Sequence, residues 1–438
     1  MSLFSGAIGA ITGRNSTKEI YKKPLRYYFG AAFFILIFYS IRICSKIKKF
    51  LKNLQTNDRA LTHFWGGMLL VGVFYFRNDR GVAISHAKNM LFLFTSFGSA
   101  IIFGIKDVSL RLRILIAVIL SLSFFNMWNV GSFVGIFKFV NISAGAILYI
   151  QAKRFNFNTV KRYVALIGTL AGASILLGYL KIDYYDIVTN TYYMSGGKLQ
   201  RKTEWVQNFH GLLNGVGHTG LLAALGTVIG GWFSILIGIL ATLKIASIGT
   251  VTPFLALSGG LGWRVITSKG LRCREILICW ILITGGLAYQ ANNQDINNVV
   301  KREVKQMDES IRWKLWKEVW RASEQDKFKW KGRGLGFFHD AMRHKERALG
   351  ARGVKFIPWN TPHNSFLGVK YAFGYIGLGL FLMVLIRALV ISFGSVYSGG
   401  VIVFIISACT WFPLHVEILG PIAIIILSIS NERGVRNA

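Results

Sequence analysis

Two short stretches of this chain combine residue types whose spacing suits catalysis. The first is Lys331-Gly332-Arg333-Gly334-Leu335-Gly336-Phe337-Phe338; a basic stretch separates it from the second, Thr361-Pro362-His363-Asn364-Ser365-Phe366-Leu367, which runs straight into a long apolar segment. Pro362 stops a helix from extending backward, and Asn364 or Ser365 can cap a new one, so His363 stands at a helix mouth beside the positive dipole end. That field disfavours the imidazolium, and a neutral imidazole is what a general base requires near neutral pH. The bland alternative is an interfacial histidine that only caps the helix. Gly332, Gly334 and Gly336 invite comparison with a phosphate-cradling turn, but no strand precedes them, and a turn that returns the chain to the apolar segment is the simpler account. No Asp-x-Asp occurs, the nearest approach being Asp183-Tyr184-Tyr185-Asp186, so no metal and no other cofactor is expected.

The elements that must position these residues follow from composition. The chain has 438 residues, 51 of them basic and 19 acidic for a net charge of +32, yet 53% of it is hydrophobic and its mean hydropathy is +0.46. The charges fall between long apolar runs, which excludes a soluble nucleic-acid binder and a disordered chain. The runs are continuous rather than alternating, so helices rather than a barrel satisfy the backbone in lipid. The expected fold is all-α, a polytopic membrane helical bundle of about 12 spans. Candidate segments lie at about 27–43, 61–76, 88–105, 113–128, 133–151, 163–180, 211–228, 229–243, 246–267, 274–290, 365–391, 398–412 and 414–430. The pair around Gly230 and Gly231 reads as either two helices or one broken helix. The first segment has basic clusters at both ends, which fits a helix lying in the interface.

Four regions result: 1–60, basic with a first apolar or interfacial helix; 61–290, a transmembrane bundle; 291–364, a large loop; and 365–438, C-terminal transmembrane helices. The basic loops Lys106 to Arg113, Lys153 to Arg162 and Lys269 to Arg274 read as cytoplasmic, and alternation then places 181–210 and 291–364 outside. Residues 291–364 hold 16 basic and 9 acidic side chains and so must face water. Inside this loop Val304, Met307, Ile311, Leu315, Val319 and Ala322 form an apolar stripe at helical spacing, with Trp313, Trp316 and Trp320 beside it. An amphipathic helix is expected there, packed on the membrane domain or with its tryptophans in the headgroup zone. The cysteines Cys44, Cys273, Cys279 and Cys409 have no C-x-x-C spacing and read as packing residues. Residues 1–26 lack the pattern of a cleavable secretory signal.

The order of Arg312 with Trp316, then Gly332, Gly334 and Gly336, then His363 to Leu367, then Gly374, Gly377 and Leu378 resembles the C-terminal signature of the O-antigen ligase and O-antigen polymerase family. The resemblance implies a multi-pass protein of the bacterial inner membrane with its active site facing the periplasm. It implies a glycosyltransferase that moves a glycan from undecaprenyl diphosphate to an acceptor hydroxyl, metal-independent and inverting. In a ligase the acceptor is lipid A-core; in a polymerase it is another lipid-linked glycan. Partners are then the donor, the acceptor and membrane lipids, with no nucleic acid. Such a donor carries its own leaving group, so the chemistry needs a base for the acceptor and cations for the diphosphate. His363 is the candidate base. Arg312 is the first candidate diphosphate ligand, because a guanidinium offers phosphate a planar fork; it could instead pair with Asp308 on a solvated helix face.

The chain departs from the family pattern in three places. Leu257-Ser258-Gly259-Gly260 stands where a Ser-Arg pair is usual, with Arg264 four residues later on the side read as cytoplasmic. Asn208-Phe209-His210-Gly211 lacks the arginine usual there, which leaves Arg201 as the second candidate ligand. An acidic position of the following span is Ala372, with Lys370 close by. Asn364, Arg264 and His210 complete the candidate site residues; His218 reads as a helix-to-helix hydrogen bonder, and Gly374 and Gly377 as aids to close helix packing. The rival reading from another class is a secondary transporter, against which stand the lack of internal repeats and the large loop.

Overall fold

Long runs of apolar residues interrupted by short polar stretches fold as helices in the computed structural model. It describes residues 53, 56–74, 82–105, 108–130, 133–179, 193–195, 198–200, 216–230, 232–247, 252–267, 311–338, 341, 362, 364–410 and 419–432. The described elements are α1 Asp58–Phe74, α2 Val82–Phe103, α3 Leu110–Val130, α4 Phe133–Ala152, α5 Phe157–Tyr179, β1 Tyr193–Ser195, β2 Lys198–Gln200, α6 Val216–Ile229, α7 Trp232–Ser247, α8 Thr252–Thr267, α9 Ile311–Ser323, α10 Ser365–Ile391, α11 Val396–Thr410 and α12 Leu419–Ser430. Helix therefore dominates, and the two strands make one antiparallel pair with Tyr193 opposite Gln200. Among the described residues, three helical stretches are long and apolar enough to cross a membrane, Val134–Ala152, Phe157–Leu177 and Ser365–Ile391, and six shorter apolar helices accompany them. The segments expected at 27–43 and 274–290 lie outside the described residues.

The outside of the bundle is apolar as well as its core, where Leu148, Leu222 and Ile229 are fully buried. Phe94, Ile101 and Ile266 are exposed on the outside, whereas Gln151, Ser96, Ser99 and Thr227 are buried. Two of them are joined: Ser99 Oγ donates to Gln151 Oε1 at 2.7 Å, and Trp65 Nε1 donates to the same oxygen at 3.1 Å. Helices α5 to α8 and α11 pack closely. At the crossing of α5 and α6 a Cβ on Gly168 or Gly226 would collide with the other glycine's backbone, the close approach that small residues allow. The segments around Gly230 and Gly231 are two helices, not one broken one. The chain turns after Ile229, α7 packs back against α6, and Thr227 Oγ1 donates to the Ser234 carbonyl at 3.2 Å.

The helix ends sort into two groups. At one end Arg154 pairs with Asp58 at 2.8 Å, Lys153 with Glu432 at 2.5 Å, and the Tyr397 hydroxyl donates to the Phe157 carbonyl at 2.5 Å. At the other, Asn364 Nδ2 donates to the Cys409 carbonyl at 2.6 Å, and the Leu335 carbonyl lies where a Cβ on Gly135 would stand only 2.8 Å away. The second group gathers around the candidate site.

Candidate functional site

Helix α9 shows why its apolar residues recur every three or four positions. Leu315 and Val319 are buried against Tyr371 and Phe338, with Ala322, Phe337 and Leu367 packed around them. The part of the stripe from Leu315 to Ala322 therefore faces α10, while Val304 and Met307 lie outside the described residues. Of the tryptophan stripe, Trp316 donates from Nε1 to the Pro362 carbonyl at 2.7 Å, which ties α9 to the entrance of α10. Trp320 is half exposed, and the Lys370 ammonium sits 3.2 Å from its ring centre, a cation–π contact.

The glycine stretch forms a turn locked to α10. Gly332, Gly334 and Gly336 all have positive φ, 75°, 101° and 84°, a region closed to most side chains. Opposite them α10 is broken at Gly374, with φ 66° and ψ −162°. In an unbroken helix the carbonyls of Tyr371 and Ala372 accept from the amides of Tyr375 and Ile376. Here all four groups pair with the turn instead. The Arg333 and Gly334 amides donate to the Tyr371 and Ala372 carbonyls at 2.8 and 3.1 Å, and the Tyr375 and Ile376 amides donate to the Lys329 and Trp330 carbonyls at 3.0 and 3.4 Å. These four backbone groups are thereby satisfied, which an apolar helix long enough to cross a membrane requires. A Cβ on Gly374 would collide with the Trp330 carbonyl, and one on Gly332 with that of Ala372. Gly374 thus serves this splice, where the sequence suggested close packing of one helix on another. Arg333 closes the turn: its Nε donates to the Ala322 carbonyl at 3.0 Å and its guanidinium lies 4.4 Å from the Phe328 ring centre.

A charge cluster around one buried lysine fastens the same junction. Lys370, 1% exposed, is hydrogen-bonded to Glu324 Oε1, which also accepts from the Tyr375 hydroxyl at 2.6 Å. Lys329 lies 3.9 Å from the other carboxylate oxygen. The Glu324 carboxyl is held below the usual carboxylate range, chiefly by the hydrogen bond from Lys370 and then by that from Tyr375. Its contribution to docking is therefore complete above its ordinary value of 4.5 and is lost as pH falls through the lowered one. Hydrogen exchange at the Arg333 and Gly334 amides, corrected for the intrinsic pH effect, is expected to stay slow down to the ordinary carboxylate range and to quicken well below it. Glu324→Gln should remove that step, and identical profiles in the two proteins would contradict the assignment.

Of the residues singled out in the sequence, His363, Arg201 and His210 lie outside the described residues. Arg312 occupies the first turn of α9. Asn364 caps α10, its Oδ1 accepting from the Leu367 amide at 3.0 Å, while its amide nitrogen reaches the end of α11. Arg264 is not brought to this site. It donates to the Val228 carbonyl and lies against Gly399, ten residues before Cys409 on α11 and so about 15 Å along that helix from Asn364's partner. What sequence reasoning missed is the cluster of Glu324, Lys370, Tyr375 and Trp320. The signal available was Lys370, a cation inside an apolar run, which demands a partner.

The arrangement can hold the mouth of α10 rigid beside α9, with the first turn of α9 carrying Arg312 and the mouth of α10 carrying His363 in the chain. Neither a model of any known protein family nor any curated protein sequence matches the chain.

Proposed function

We propose that this protein is an integral membrane glycosyltransferase of the O-antigen ligase and polymerase type. On this reading the chain crosses the bacterial inner membrane about 12 times, and residues 291–364 form a periplasmic loop. The observation that supports it most is the interlocking of the motif's separated parts. The glycine turn is spliced into the Gly374 break, and Trp316 is bonded to the carbonyl of Pro362, the residue before His363. Residues far apart in the sequence thereby make one junction at one end of the bundle.

In the proposed reaction His363 accepts the proton of the acceptor hydroxyl, and the hydroxyl oxygen forms a bond to the anomeric carbon of the donor sugar. The bond from that carbon to the diphosphate oxygen breaks, and the electron pair leaves with undecaprenyl diphosphate, with inversion at carbon. Arg312 and Arg201 hold the diphosphate as negative charge builds on it. Ligase is the preferred form, with lipid A-core as acceptor. Electrophoresis of lipopolysaccharide from a deletion strain tests this directly. Bare core is the expected pattern; core carrying one repeat unit would assign the polymerase form, and unchanged lipopolysaccharide with unchanged lipid-linked glycans would overturn the proposal.

A further inference from the structure

At the end of the bundle away from Asn364 lies a cavity of about 280 Å³, lined by Asn158, Lys161, Arg162, Ala165 and Gly230. The four α5 residues follow one another at i, i+3, i+4 and i+7 and so share one helix face. The stretch Phe157–Leu177 is one of the three that can cross a membrane. All four residues fall within its first two turns or so, about 12 Å along the axis, which puts the cavity at the boundary end of the span, within reach of the headgroups. Its lining holds two cations and an amide and no carboxylate. The carboxylates described at this end, Asp58 and Glu432, are paired with Arg154 and Lys153. Gly230 contributes a wall of bare backbone, since a Cβ there would press on Ala165. The volume equals that of about nine liquid waters, enough for a phosphate and part of a glycerol unit.

We infer that this cavity binds the phosphate of an anionic glycerophospholipid, with Lys161 and Arg162 supplying the charge and Asn158 a hydrogen bond. The inference is independent of the proposed transfer reaction. Free phosphate shares the recognised chemistry but lacks the acyl chains that keep a headgroup at this depth.

The test is native mass spectrometry of the delipidated full-length protein titrated with dioleoylphosphatidylglycerol. A saturable adduct is expected, weakened about fivefold for each cation removed and so about twenty-five-fold in the Lys161→Ala, Arg162→Ala double variant. Ala165→Leu, which fills the cavity without removing charge, should weaken it as well. Lys327→Ala with Lys331→Ala, which removes exposed cations from the other end, should leave it unchanged. Binding that survives both cavity variants overturns the inference. So does equal affinity for dioleoylphosphatidylcholine, or displacement of the lipid by an equal concentration of inorganic phosphate.

Discussion

His363→Ala is expected to lower glycan transfer by about 10²- to 10⁴-fold, the usual loss when a general base is removed, with insertion and protein level unchanged. The physical basis is its position. Pro362 and Asn364 flank it in the chain, and the Asn364 cap on Leu367 fixes where α10 begins, so His363 is the residue before the cap in the sequence. On the proposed reading, a base at that place in the chain takes the proton of the acceptor hydroxyl. The measurement is transfer of the lipid-linked glycan in membranes that carry equal amounts of each protein. Full transfer by a correctly inserted variant would end the case for His363, whereas loss of insertion would be a folding effect and calls for comparison with His363→Gln. A weakened pH dependence in whatever activity remains would separate a base from a cap, because a cap does not titrate in the neutral range.

The second large effect is expected from Gly374→Ala. The glycine's φ of 66° and ψ of −162° lie in a region essentially reserved for glycine, where another residue costs about 1–3 kcal/mol. The added methyl also meets the Trp330 carbonyl, which cannot move without losing its bond from the Ile376 amide. The variant should release the turn and leave the amides of Tyr375 and Ile376 exposed. Limited proteolysis after Lys329, Lys331 and Arg333 reports this, with cleavage rising about tenfold or more if the docked population falls as that strain implies. Gly379→Ala is the control, because a Cβ at that helical position meets nothing within 4 Å. Equal protection in the two variants would mean that the splice does not hold the loop.

Helix existence was legible in the sequence because lipid allows few other structures: the runs predicted at 133–151 and 365–391 became Phe133–Ala152 and Ser365–Ile391. The stripe Leu315, Val319 and Ala322 was equally legible, since a 3.6-residue period says which face is buried. The break at Gly374 was not. Glycine in an apolar run is consistent with a kink, a close crossing or neither, and hydropathy does not register a backbone dihedral. Pairing was hidden for a related reason. Lys370 and Glu324 are 46 residues apart, and only the approach of α9 to α10 makes them neighbours. Of the candidate site itself, residue type narrowed the cap to Asn364 or Ser365 and loop charge put Arg264 on the other side, while the choice of Asn364 and the contact of Arg264 with Val228 required the folded chain.

The break in α10 also sets a height. The helix has 27 residues from Ser365 to Ile391, about 40 Å of axis, against a hydrocarbon layer of about 30 Å. The portion from Tyr375 onward is about 25 Å and comes close to filling that layer by itself. On the proposed reading, the part before the break then rises through the edge of the hydrocarbon toward the surface as a post of about 14 Å, braced by the glycine turn at its foot and by α9 along its side. On the proposed reading, the diphosphate of a lipid donor is confined to a layer near the membrane surface, while an acceptor hydroxyl arrives from above. A braced post works as a ruler: it fixes how far above the lipid the reacting end of the helix is held, and hence which bond of a tethered glycan can come level with it.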